Sequence, residues 1–119
     1  MNIGSIHGAQ PFAALPLYAA SKGAIESLTR QLCVEYGGFG IRINTVAPGA
    51  VNTPMTTGSD LERVEDVLRV AADLSPMNRV SSADEVASVI NFLLSAEAVG
   101  FNGAIVRMDN GMAATGRNR

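Results

Sequence analysis

Three side chains in the first part of the chain could together move a proton. Tyr18 and Lys22 are four residues apart, and in a helix this spacing puts two side chains on the same face, one turn from each other. An ammonium group there would stabilise a tyrosinate, and such a phenol can act as a general acid or base. Ser5 lies thirteen residues before Tyr18 at an expected strand end, where its hydroxyl could hydrogen-bond a substrate oxygen as charge develops on it.

Each of these features also has an ordinary structural explanation when it is taken alone. Tyrosine and lysine four residues apart occur often by chance, as a half-buried ring beside a solvated ammonium. A serine in a turn commonly bonds its own backbone. The segment 48–55 (PGAVNTPM) could be a plain turn, and His7, the one histidine, is more often incidental than part of a site.

The elements that must position these residues follow from the hydrophobic pattern. A strand is expected to end near Ile6, and a loop then runs to Pro16. Apolar residues at spacings of three and four predict a helix over 17–36 with one apolar face, made of Ile25, Leu28, Leu32 and Tyr36.

The second half of the chain continues the alternation. The β-branched segment 41–47 predicts a buried strand, and 104–108 predicts a last strand. Two capping boxes, Ser59 with Glu62 and Ser82 with Glu85, predict one helix before Pro76 and another whose apolar stripe extends to Leu94. The order strand, helix, strand, short helix, helix, strand predicts an α/β fold with a parallel sheet over 1–112, followed by a flexible tail over 113–119.

The bulk composition excludes several classes of function. The chain has 119 residues, a net charge of -2 and an acidic pI, so we expect no nucleic-acid partner and no anionic membrane surface. No apolar run is long enough to span a bilayer, and the first residues do not resemble a signal peptide. The single cysteine, Cys33, suits a reducing compartment, so the expected location is cytoplasmic. No metal site is predicted.

The order and spacing of four sequence blocks give the chain a family resemblance. The chain has Ser5, Tyr18 thirteen residues later, Lys22 four residues after that, and the pair Pro48-Gly49 thirty residues after the tyrosine. This spacing resembles that of the short-chain dehydrogenases/reductases, and the resemblance extends to about Met112. The blocks that follow the order of that family are YAASKGAI, IRINTVAPGAVNTPM, SPMNRVSSADEVASVINFLLS and IVRMDNG. The resemblance implies a partial Rossmann-like, doubly wound parallel sheet, the C-terminal portion alone.

The resemblance also implies roles for individual residues. Tyr18 would be the catalytic acid or base, and Lys22 would support it and bond the nicotinamide ribose. Ser5 would polarise the substrate oxygen, while Asn44 would be structural. The residues that would contact the nicotinamide are Tyr18, Lys22, Pro48, Gly49, Val51 and Thr53.

The implied activity is an NAD- or NADP-dependent interconversion of a small-molecule alcohol and a carbonyl compound, in a homodimer or homotetramer. The family's glycine-rich turn after a first strand has no counterpart here, because the glycines in 37–40 follow a helix. A truncated, non-catalytic fragment therefore remains the alternative. The epimerase branch of the family fits less well, because it usually has a larger C-terminal substrate region. The enoyl reductase branch fits less well because it spaces its Tyr and Lys more widely.

The resemblance further implies a substrate lid that includes Met55 and the segment 56–75, with 8–16 on the other side. The expected pocket wall is apolar and lacks an obvious cation, which favours a neutral or apolar carbonyl substrate. The wall residues named by this prediction are Phe12, Leu15, Met55 and Leu61.

Overall fold

The computed structural model describes residues 1–10, 13–58 and 63–115. It is an α/β structure, as the alternating pattern predicts. The helices and strands are β1 (Asn2–Ile3), α1 (Pro16–Tyr36), β2 (Thr45–Pro48), β3 (Val51–Asn52), α2 (Pro54–Thr57), α3 (Val64–Asp73), β4 (Ser81–Ser82), α4 (Ala83–Leu94) and β5 (Ile105–Met108).

The main sheet has three parallel strands in the order β1, β2, β5. Thr45 of the central strand lies opposite Asn2 on one side and Ile105 on the other. Parallel strands place their carboxyl ends at the same edge of a sheet. The residues that follow β1 and β2, Ser5 and Gly49 among them, therefore lie at one edge.

Helix α1 begins one residue earlier than its apolar pattern predicts. Pro16 is its first residue, and proline is tolerated there because the first N–H of a helix has no intrahelical partner. The prediction that the helix ends near Gly37 is confirmed.

The fully buried residues of α1 are polar, so the predicted apolar face, of which Ile25 and Leu32 are half-buried, accounts for only part of its packing. Thr29 is buried, and its hydroxyl lies 2.6 Å from that of Thr45 and accepts a hydrogen bond of 2.8 Å from Asn2. Leu28 and Tyr36 are exposed instead. The reason is that α1 meets the sheet through this hydroxyl network, which lies to one side of the apolar stripe.

The apolar core lies between α4 and the sheet. Val46 of β2, Leu93 of α4 and Ala98 are buried together, which confirms the predicted stripe of α4 except for the exposed Leu94. The partly buried side chains that pack around these three are Val86, Val89, Ile90, Val106 and Met108.

Both ends of α4 are held by side chains. The predicted Ser82–Glu85 capping box is present at its start, where the Glu85 N–H donates to the Ser82 hydroxyl at 3.2 Å. At its end, the Arg42 guanidinium satisfies carbonyl groups that lack helical partners. The carbonyls that accept from Arg42 belong to Leu93, Ser95 and Ala98, at 2.9 Å each, and to Phe101, at 3.3 Å.

The second strand is shorter than predicted, because β2 begins at Thr45 and not at residue 41. The Ile43 N–H donates to the side-chain oxygen of Asn102 at 2.9 Å and not to a backbone carbonyl, although the Ile43 carbonyl accepts from the Gly103 N–H at 2.7 Å. Asn44 is buried and bridges the carbonyl of Phe101 and the N–H of Ala104, which matches the structural role that the resemblance implies.

Two short strands were not predicted. β3 and β4 form a separate two-stranded parallel pair, in which Val51 lies opposite Ser81. The predicted Ser59–Glu62 capping box lies outside the described residues, while α3 accounts for most of the helix predicted after it.

The predicted start of the C-terminal tail is folded into a turn. Residues Met112–Ala114 form a single 3-10 turn, and the Asp109 carboxylate accepts from the N–H of Ala113 at 2.8 Å. Residues 116–119 lie outside the described part, so the boundary at 112 stays a prediction. Within the described ranges, no helix combines the length and the apolar content needed to cross a bilayer.

Candidate active site

Ser5 stands where the end of β1 meets a tight turn. Gly4 lets the chain pass close to β2, since a Cβ atom at this position would lie 2.7 Å from the methyl group of Thr45. Ser5 is buried and caps the 3-10 turn Ile6–Gly8, where its Oγ accepts a hydrogen bond of 3.2 Å from the His7 N–H. Because this bond uses a lone pair, the hydroxyl proton of Ser5 remains available for donation.

Tyr18 occupies the first turn of α1, with 38% of its surface exposed. Its ring meets that of His7 edge to face, with the centroids 5.5 Å apart. The Lys22 ammonium lies 5.5 Å from the centre of the same ring and donates a hydrogen bond of 3.1 Å to the carbonyl of Ile3. The predicted Tyr–Lys pair therefore shares one helical face and is tied to β1.

The turn after Ser5 packs directly on the backbone of α1. A Cβ atom at Gly8 would lie 3.0 Å from the carbonyl of Lys22 and 2.9 Å from the carboxylate of Glu26. A Cβ atom at Gly23 would in turn lie 3.2 Å from the carbonyl of Gly8. This close contact fixes where Ser5 stands relative to the helix that carries Tyr18 and Lys22.

A cavity of about 580 Å³ opens beside these groups. It brings together Ser5, Tyr18 and Gly49 of the predicted set, together with His7, whose pKa is lowered by burial. Its wall is otherwise mainly apolar. The other lining residues are Ile6, Leu15, Ala50, Met55, Thr56, Ala71, Leu74 and Met112.

The remaining residues of the predicted nicotinamide-contacting set lie near this cavity but do not line it. Pro48 ends β2, Val51 belongs to β3, and Thr53 precedes α2, with its hydroxyl 3.5 Å from that of Thr56. Lys22 borders the cavity through its contact with Tyr18. Among the residues the structure describes, no cluster of three or more His, Cys, Asp or Glu could hold a metal ion.

Several residues that line the cavity have little or no signal in the sequence. His7 stands against Tyr18, although a lone histidine in a loop gave little sign of it. Met112 is buried in the cavity wall, and the sequence around it carries no signal for this role. Leu15 and Met55 line the cavity as predicted, whereas Phe12 and Leu61 lie outside the described residues.

Comparison with known proteins gives the family. A family model described as enoyl-(acyl carrier protein) reductase matches residues 1–113. A crystal structure of a short chain dehydrogenase family protein from Francisella tularensis superposes with a TM-score of 0.85 at 26% identity, over 95% of this chain and 50% of that one. The chain belongs to the short-chain dehydrogenase/reductase family. The likeness confirms the predicted fold class, a portion of a Rossmann-like parallel sheet.

Two further members of the short-chain dehydrogenase/reductase family are similar to this chain. The levodione reductase of Leifsonia aquatica is 39% identical over 118 residues, which are 96% of this chain and 44% of that protein. A 4-hydroxyisoleucine dehydrogenase in complex with NADH has a TM-score of 0.85 at 26% identity, over 95% of this chain and 46% of its own. The chain thus spans about half the length of the relatives it matches.

Proposed function

We propose that this chain supplies the catalytic residues of an NAD(P)-dependent oxidoreductase that interconverts a small-molecule alcohol and a carbonyl compound. The observation that carries the proposal is the convergence of the Ser5 and Tyr18 side chains on one cavity, with the Lys22 ammonium beside the Tyr18 ring. Similarity to proteins named as a reductase and as a dehydrogenase complexed with NADH supports it.

The residues present fit one end of a nicotinamide dinucleotide. Lys22 has three N–H donors and uses one on the Ile3 carbonyl, so it could also bond ribose hydroxyls. Gly49, at the carboxyl end of β2, lines the cavity where a flat ring could pack, and Pro48, Val51 and Thr53 flank it. In the described part of the chain no glycine-rich turn leads from a strand into a helix, so the described residues include no such binding site for the pyrophosphate group of the cofactor.

The proposed chemistry assigns one task to each side chain. A bound nicotinamide dinucleotide supplies or accepts the hydride. Ser5 donates its hydroxyl proton in a hydrogen bond to the substrate oxygen and so stabilises the charge that develops there. Tyr18 gives its phenolic proton to that oxygen in reduction and removes it in oxidation. The Lys22 ammonium and the N-terminal end of α1 stabilise the negative charge that develops on the Tyr18 oxygen.

A non-catalytic role is the second candidate. It is favoured by the lack of a pyrophosphate site among the described residues. The two candidates differ in one assay, which follows the absorbance of NADH and NADPH with the protein as its gene encodes it and a panel of ketones and alcohols. Turnover that depends on Ser5 supports the oxidoreductase. No turnover with any compound, in a folded protein, supports the non-catalytic role.

A further inference from the structure

We infer that the cavity beside Ser5 and Tyr18 selects uncharged carbonyl compounds and discriminates against substrates that carry an anionic group. The inference rests on the proposed function and concerns the substrate class of that same site. It depends on the placement of charged side chains throughout the described part of the molecule.

The described elements around the cavity contribute uncharged side chains. Leu15 comes from the loop before α1, Met55 from α2, Leu74 from the end of α3, and Met112 from the C-terminal turn. Of the described residues that line this cavity, none is a lysine, arginine, aspartate or glutamate. The polar groups that do line it are those of Ser5, His7, Tyr18 and Thr56.

Three cations of the described residues are engaged elsewhere in the structure. The Lys22 ammonium is bonded to the carbonyl of Ile3, and the Arg42 guanidinium is bonded to the carbonyl groups at the end of α4. Arg79 is paired with Glu85, away from the cavity. Arg63 lines a neighbouring cavity that shares Ala71 and Leu74 with this one, and Asp66 lines that neighbouring cavity too.

His7 is the titratable side chain that lines the cavity besides Tyr18. Burial lowers its pKa, so the imidazole is held in the neutral form at physiological pH and presents no positive charge to a ligand. Its ring meets the Tyr18 ring edge to face, and the Lys22 ammonium lies 5.5 Å from the centre of the Tyr18 ring.

These placements decide which substrates the wall accepts. A carboxylate or phosphate placed against Leu15, Met55 and Leu74 would lose its hydration and gain no ion pair. An uncharged ketone loses little on entering, and its one polar atom can meet the hydroxyl groups of Ser5 and Tyr18. The discrimination therefore comes from the missing counter-charge and not from the size of the cavity.

The test compares a matched pair of substrates on the protein as its gene encodes it. One is a cyclohexanone that carries a carboxylate, and the other is its methyl ester. We expect kcat/KM for the ester to exceed that for the carboxylate at least about tenfold, in line with the cost of burying an unpaired charge. Equal values, or a preference for the carboxylate, would overturn the inference while leaving the proposed function intact. No turnover of any carbonyl compound would overturn both.

A charge placed in the wall gives a second, independent measurement. Leu15→Arg puts a guanidinium at the cavity, and Leu17→Arg puts the same charge on an exposed position of α1 that does not line it. We expect Leu15→Arg to shift the ester-to-carboxylate ratio about tenfold toward the carboxylate. Leu17→Arg should leave that ratio unchanged. Equal shifts in both variants, or no shift in Leu15→Arg, would contradict the inference. If Leu15→Arg does not fold, the ester-to-carboxylate ratio of the unaltered protein alone tests the inference.

Discussion

The Lys22 ammonium nitrogen lies 5.5 Å from the centre of the Tyr18 ring, one helical turn away along α1. The same nitrogen donates to the carbonyl of Ile3, at the end of the strand that leads to Ser5. One lysine therefore ties the helix that carries the phenol to the strand that carries the hydroxyl. The geometry of the proposed catalytic set depends on this junction of β1 and α1.

Cofactor binding by the 119-residue chain alone tests where the pyrophosphate site lies. Since the described residues include no glycine-rich turn from a strand into a helix, we expect no binding of NADH or NADPH by isothermal titration calorimetry at millimolar ligand. The protein as its gene encodes it is the matched comparison. A micromolar isotherm with the isolated chain would show that this reasoning is wrong.

Gly103 is expected to resist substitution more than its neighbour Gly100. Gly103 has a φ of 77°, and a Cβ atom there would lie 2.5 Å from the sulfur of Cys33. We expect Gly103→Ala to lower the free energy of unfolding by about 1–3 kcal/mol, through backbone strain and overpacking. At Gly100 an added Cβ atom would meet nothing within 4 Å, so Gly100→Ala should be near neutral. Urea denaturation measures the free energy of unfolding of both variants, and equal losses in the two would contradict the packing described.

The Arg79–Glu85 pair gives stability a specific pH dependence. The pKa of Glu85 lies below its usual value, first because the Arg79 guanidinium hydrogen-bonds its carboxylate and second because the backbone N–H of Ser82 does so. A lowered folded-state pKa contributes stability that is present above the unfolded value, near 4.5, and is lost as the pH falls through the folded value.

Glu85→Gln should therefore lower the free energy of unfolding at neutral pH. As the pH falls, this variant should lose less stability than the unaltered protein does. Thermal unfolding monitored by circular dichroism over the acidic range measures this difference. Glu97→Gln, at an exposed position, is the control and should follow the unaltered protein. If Glu85→Gln showed the same acid profile as the unaltered protein, the assigned role of the pair would be wrong.

Much of the fold could be predicted because local patterns specify it. The Ser82–Glu85 capping box and the apolar stripe of α4 locate that helix, and the β-branched residues before Pro48 locate the central strand. The packing of α1 could not be predicted in this way. Its contact with the sheet runs through the hydroxyl groups of Thr29 and Thr45, and a pattern that weighs only apolar residues does not detect such a contact.

The sequence predicts the site residues that belong to the spaced motif, but not those that only the tertiary fold brings to the cavity. Ser5 and Tyr18 are thirteen residues apart and meet at one cavity because a short parallel strand leads into a loop and then a helix. Met112 reaches the same cavity from the opposite end of the chain. No local pattern encodes that approach, which depends on β5 lying beside β2.

Association through α1 is a further prediction. Leu28 and Val34 are exposed along this helix, and the small residues Ala20 and Ala24 would allow a partner helix to approach closely. Gly23, by contrast, already packs on Gly8 within the chain. We expect a homodimer or homotetramer with isologous contacts for the protein as its gene encodes it. Multi-angle light scattering at micromolar concentration checks this, and a strict monomer would count against it.

The central claim is that the phenol of Tyr18 transfers the proton, and replacing that phenol tests it most directly. In the protein as its gene encodes it, Tyr18→Phe should lower kcat with the best ketone by roughly 10²–10⁴-fold, which is the usual contribution of general acid–base catalysis. The Kd of this variant for NADH or NADPH should stay within a few fold of the unaltered value. Tyr36→Phe is the control, because Tyr36 lies at the far end of α1, away from the cavity, and should retain full turnover. A Tyr18→Phe variant that keeps more than about a tenth of the unaltered kcat would contradict the account, since general acid–base help contributes at least about 10²-fold.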